Sequence, residues 1–135
     1  MSRWMVVFFA LTAAPSAFAQ SRDFDLQSAS VADIQDAVDA GALTYEALVQ
    51  MYLRRIEAYD KNGPKLNAVI EIHPRAVEIA RELDEERRQS GRRSMLHGIP
   101  IAVKDTVDVR DIASAGGNVL FAGTFPEHDR PSCES

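Results

Sequence analysis

The 135 residues contain a single cysteine, Cys133, so no internal disulfide can form and the fold must be held by packing and hydrogen bonding alone. The three histidines, His73, His97 and His128, fall in no metal-ligand spacing, and there is no second cysteine to join them, so no metal site is expected. No glycine-rich phosphate loop precedes a helix at the spacing such a loop needs. Positive charge is in the minority: 15 Lys and Arg stand against 20 Asp and Glu, for a formal net charge of −5. Without a basic stripe, nucleic acid and anionic membrane surfaces are poor partners. Internal repeats and low-complexity segments are absent. So is any apolar run near the ~20 residues that span a bilayer.

What the chain does have begins with an export pattern. Arg3 supplies a positive start, residues 5–14 form a short apolar run, and Ala17-Phe18-Ala19 places small residues at minus three and minus one before Gln20. Cleavage between Ala19 and Gln20 is expected, with a periplasmic or secreted destination. No cysteine follows the run to take a lipid, so no stable membrane anchor is expected after cleavage. The remaining 116 residues, 20–135, hold 14 basic and 20 acidic side chains, a net of −6. That length suits one ordinary domain.

Helical signals come next. Ser30 precedes Val31, Ile34 and Val38 at helical spacing, with Asp33 placed for a capping box and Gly41 for a left-handed C-terminal cap. A second helix opens at Thr44, with Leu43 and Leu48 spaced as a hydrophobic staple. Its expected apolar stripe is Leu48, Tyr52, Ile56 and Tyr59, with Gln50, Arg54 and Glu57 facing away. Asp60-Lys61-Asn62-Gly63-Pro64 ends it. Residues 66–73 alternate in polarity and read as a strand. Pro74 suits the first turn of a third helix, with Val77, Ala80 and Leu83 inward and the charges from Asp84 to Arg88 as a solvated face. After a loop at 90–93, residues 99–103 are apolar on both faces and read as a buried strand.

The order helix, helix, strand, helix, strand indicates an α/β class. Two such strands do not make an independently stable sheet, so helices packing on an incomplete mixed sheet, the front of a larger domain, are expected.

The segment Leu96-His97-Gly98-Ile99-Pro100-Ile101-Ala102-Val103-Lys104-Asp105 carries the chemistry. A lysine ending a buried strand is desolvated, which lowers its pKa and makes a neutral amine available as general base toward a hydroxyl nucleophile. The alternative is a lysine at the solvated end of a strand, paired with Asp105 or Asp108. His97 reads as a loop hydrogen-bonder, and nothing around Cys133 activates a thiolate.

This segment, followed by Asp108, resembles the lysine motif of the amidase-signature family. Ala40-Gly41-Ala42-Leu43-Thr44 and Gly63-Pro64-Lys65-Leu66-Asn67-Ala68 are similar to the N-terminal region of the same enzymes, and the resemblance covers residues 30–129. It implies the N-terminal fragment of the amidase-signature fold, and hydrolysis of carboxylic amide C–N bonds in small molecules by a Ser-Ser-Lys mechanism without a cofactor. Lys104 corresponds to the general base. The two family serines, a relay and a nucleophile in a downstream Gly/Ser-rich stretch, have no counterpart. Ser114-Ala115-Gly116-Gly117 follows the lysine too soon, lacks the adjacent serine pair, and departs from the paired threonines and Gly-Ser that the family often has there. The chain alone is therefore expected to be inactive. The rival expectation is a small exported interaction protein, derived from an amidase and without catalysis.

Overall fold

The computed structural model describes residues 25–121 and 123–127. The expected export junction at Ala19 and Gln20, together with His128 and Cys133, lies outside them. Three α-helices organise the described chain: α1 (Val31–Asp39), α2 (Tyr45–Arg55) and α3 (Ala76–Ser90). A π-helical turn (Ile56–Lys61) extends α2, and a short 3-10 turn covers Val119–Phe121. None of these helices is long and apolar enough to cross a membrane.

Local sequence accounts for the helix ends. Ser30 Oγ accepts the Asp33 N–H while the Asp33 carboxylate accepts the Ser30 N–H, the full capping box. At the other end of α1, Gly41 takes φ +69°, its N–H donates to Val38 and that of Ala42 to Ala37, so the paired bonds of a Schellman cap close the helix. Thr44 caps α2 through the Ala47 N–H at 3.1 Å. Pro74 falls just outside α3, whose N-cap is Arg75.

The core lies between these helices. Ile34, Leu43 and Leu48 form one buried cluster, which includes both ends of the staple. Tyr45, Val49 and Ala80 form the second, with Val77 and Leu83 packed against it. Fully burying a side chain such as Leu48 is worth roughly 1.5–3 kcal/mol.

Three expectations are corrected. The stripe on α2 fails at Tyr59, which is exposed, because the wider π turn at 56–61 rotates it off the helix face. Arg55 lies over its ring instead, 5.4 Å from the centroid. The charge run of α3 is not one solvated face: Asp84 and Arg87 turn toward α1 and α2, while Arg88 stays outward with Glu85.

The third correction is the larger: residues 66–73 and 99–103 form no strand, and the described residues contain none. Asn67 adopts φ +50°, a left-handed conformation foreign to a strand, and Leu66 and Ile70 are exposed. A strand exists through its ladder, and neither segment has a neighbouring strand to pair with.

Candidate functional site

Lys104 is approached through a loop docked on the helical layer. Gln35, fully buried on α1, donates both amide hydrogens of Nε2, to the carbonyls of Met95 and His97, each at 3.0 Å. Its Oε1 accepts from the Tyr45 hydroxyl at 2.9 Å and from Arg87 at 3.0 Å, so all the hydrogen-bonding capacity of the amide is used. The Arg87 guanidinium sits 5.6 Å from the Tyr45 ring centroid, donates to the Tyr45 hydroxyl, and pairs with Asp39. Burial works against the charge on Arg87, yet the Tyr45 hydroxyl and Asp39 outweigh it and raise its pKa.

His97 stands edge-on to Tyr45, with ring centroids 5.5 Å apart, and its Nε2–H donates to the Leu83 carbonyl at 3.0 Å. A carbonyl can only accept, so this nitrogen carries the proton and His97 is a structural hydrogen-bonder. Gly98 lies flat on the Tyr45 ring at φ +72°; a Cβ there would come within 2.3 Å of ring carbon. Only glycine allows this approach.

Beyond this anchor the chain leaves the helices. Ile99 still packs against the first core cluster, but Ile101 is 72% and Val103 44% exposed. Lys104 is exposed as well. The burial expected of this lysine is therefore not supplied by the described residues, because residues 99–103 have no cover on their outer side. Among the described residues no salt bridge joins Lys104 to Asp105, one of its two expected partners.

Asp105 is engaged elsewhere. Its two carboxylate oxygens accept the N–H of Ala115 at 3.1 Å and of Gly117 at 2.8 Å, while its carbonyl accepts from Ser114 Oγ at 3.0 Å. Residues 115–118 form a tight turn closed by the Asn118 N–H on the Ala115 carbonyl at 2.9 Å. Gly116 and Gly117 have φ of +57° and +76°, the paired positive values of a type I′ turn. The carbonyl of Lys104 accepts the Val107 N–H at 2.8 Å, closing a turn at the lysine itself. Sequence reasoning missed Asp105 as a ligand of backbone N–H groups. The signal available was the Gly116-Gly117 pair, a place where the backbone can turn its N–H groups toward an anion.

Two surface hollows, of about 330 and 300 Å³, lie between the Asp25 region and α2 and beside the α1–α2 junction; Lys104 lines neither. No group of three His, Cys, Asp or Glu among the described residues is placed to hold a metal.

Known proteins share both the sequence and the shape of this region. The family model described as Amidase matches residues 47–133, which include Lys104 and the Asp105 turn. A probable amidase of Arabidopsis thaliana is 34% identical over 112 residues, covering 81% of this chain and 21% of the relative. One component of the glutamyl-tRNA(Gln) amidotransferase of Chloroflexus aurantiacus is 33% identical over 106 residues, covering 78% and 21%. Among solved structures, the native peptide amidase from Stenotrophomonas maltophilia superimposes with a TM-score of 0.71 at 42% identity, over 73% of this chain and 20% of that one. The chain thus spans about a fifth of the length of the relatives it matches. At this identity the likeness extends beyond shape, and the chain belongs to the amidase family, following the N-terminal portion of the amidase-signature fold.

Proposed function

We propose that this chain supplies the lysine of a Ser-Ser-Lys amidase, with Lys104 as general base, and that the 135 residues alone do not turn over amides. One observation carries the reading: the backbone is anchored six residues before Lys104, at Gly98 against Tyr45, and directly after it, at Asp105 against Ala115 and Gly117, while the side chain itself is exposed. A base that must meet a hydroxyl from another part of the enzyme needs a fixed origin and an open side chain. The same serine-bearing part would cover residues 99–103 and enclose the amine. The substrate class is a small carboxylic amide, whose C–N bond is cleaved through an acyl-enzyme without a cofactor. We propose export to the periplasm or beyond as its location.

Hydrolysis of simple aryl and aliphatic amides tests this reading. The 135-residue chain should show no turnover. A chain extended through an in-frame Gly-Ser-Ser-Gly segment should gain it, and Lys104→Ala in that longer enzyme should remove several orders of magnitude of rate, because the three groups act as a unit. Lys104-dependent turnover by the short chain, or an extended enzyme indifferent to Lys104→Ala, would overturn the proposal. The exposed Val119, Leu120 and Phe121 favour a second reading, a small interaction protein without catalysis; an extended chain that is folded yet gains no turnover would support it.

A further inference from the structure

Asp105 follows the proposed base directly, yet its carboxylate is spent on the backbone of a turn ten to twelve residues further on. We propose that Asp105 is a positioning residue for Lys104: by gripping the N–H groups of Ala115 and Gly117, it fixes the backbone from which Lys104 projects and keeps its own charge from capturing the ammonium. The proposal rests on Lys104 being the base and names the residue that aims it.

Three features support it. Each carboxylate oxygen has its own N–H partner, so the grip is two-pronged and resists rotation about the side chain. The Asp105 main chain is held by the same loop, through Ser114 Oγ on its carbonyl, and the Lys104 carbonyl is tied to Val107. The peptide joining Lys104 to Asp105 is thus restrained from both sides. Bonds from backbone N–H groups to a carboxylate are also stronger than an exposed Lys–Asp pair, so the carboxylate is better satisfied in the turn than on its neighbour's ammonium. The loop is built for this: consecutive positive φ values at Gly116 and Gly117 bring the Gly117 N–H round to the carboxylate, which a residue with a Cβ would resist.

The 135-residue chain itself can be tested, because no turnover is needed. Lys61, Lys65 and Lys104 are its only lysines, so acylation by acetic anhydride, read by mass spectrometry, reports Lys104 against two internal references. Amide hydrogen exchange reports the loop, and protection of α2 and α3 in the same experiment reports the fold. Asp105→Ala should speed exchange at Ala115 and Gly117 about tenfold. It should also change Lys104 acylation about threefold relative to Lys61 and Lys65. Asp105→Asn loses the same charge but keeps one acceptor oxygen, and should fall between wild type and Asp105→Ala in both readouts. Should Asp105→Ala loosen the helices, Ser114→Ala serves in its place; it removes only the bond to the Asp105 carbonyl and should shift Lys104 in the same direction. Identical Lys104 responses in the Asn and Ala variants would reduce Asp105 to a nearby charge and overturn the proposal. Freed amides with Lys104 unchanged would overturn it too. Either result leaves the serine–lysine reading standing, since that depends on turnover in the longer enzyme.

Discussion

Asp84, in the middle of α3, accepts the backbone N–H of Tyr45 at 2.8 Å, and its other oxygen accepts that of Glu46 at 3.0 Å. Together with Thr44 on Ala47, this satisfies the first three N–H groups of α2, two of them from another helix. A negative charge at a helix N-terminus is also favoured by the helix dipole. Asp84→Ala should therefore cost about 1–2 kcal/mol, by analogy with loss of an N-cap. Urea denaturation measures it, and an unchanged midpoint would show that the contact carries no stability.

Gly98→Ala should be more damaging. The added methyl meets the Tyr45 ring, and the residue must also hold φ +72°, for a combined loss of about 2–4 kcal/mol. Gly41→Ala is the comparison: φ is +69° but nothing lies within 4 Å, so only the conformational cost of roughly 1–2 kcal/mol applies. Equal losses for the two variants would contradict the close approach to Tyr45.

Stability should also fall on acidification through Asp60. Burial acts to raise its pKa, but Lys61 at 3.0 Å and the N–H groups of Ala68 and Val69 outweigh it and hold the carboxyl below its ordinary value. A carboxyl lowered by folding contributes fully above its unfolded pKa of about 3.9, and the contribution disappears as pH drops through the lower folded value. Asp60→Asn should lower stability at neutral pH and flatten the loss below about pH 4. A mutant whose stability follows pH as steeply as wild type would contradict this.

Export gives a fourth outcome. Material recovered from the periplasm or medium should begin at Gln20 or its cyclised form by mass spectrometry. An intact Met1 form embedded in membrane would contradict the reading of residues 1–19.

The helices were legible because their determinants are local. The capping box at Ser30 and Asp33, the cap at Gly41 and the staple of Leu43 and Leu48 each lie within a few residues, and all appear as read. Residues 66–73 and 99–103 depart from expectation because alternation in the first, and apolar character on both faces in the second, describe the faces a strand would show and say nothing of whether a neighbour is there to pair. Asp84 and Arg87 were misread for a related reason: their partners, Tyr45 and Gln35, lie 39 and 52 residues away in sequence. Lys104 stands out in the sequence by its motif, but its exposure depends on what covers residues 99–103, and no local pattern encodes that.

The open segment before Lys104 has one more consequence. Ile101, Ala102 and Val103 stand exposed with no ladder, the kind of stretch onto which a stray chain can add as a strand. They are bracketed by Pro100, which has no N–H to offer such a ladder, and by Lys104, whose charge resists stacking of like copies. The charge of the residue read as a base would thus also guard the open segment against self-association, and Lys104→Arg, which keeps that charge, separates this effect from loss of the amine.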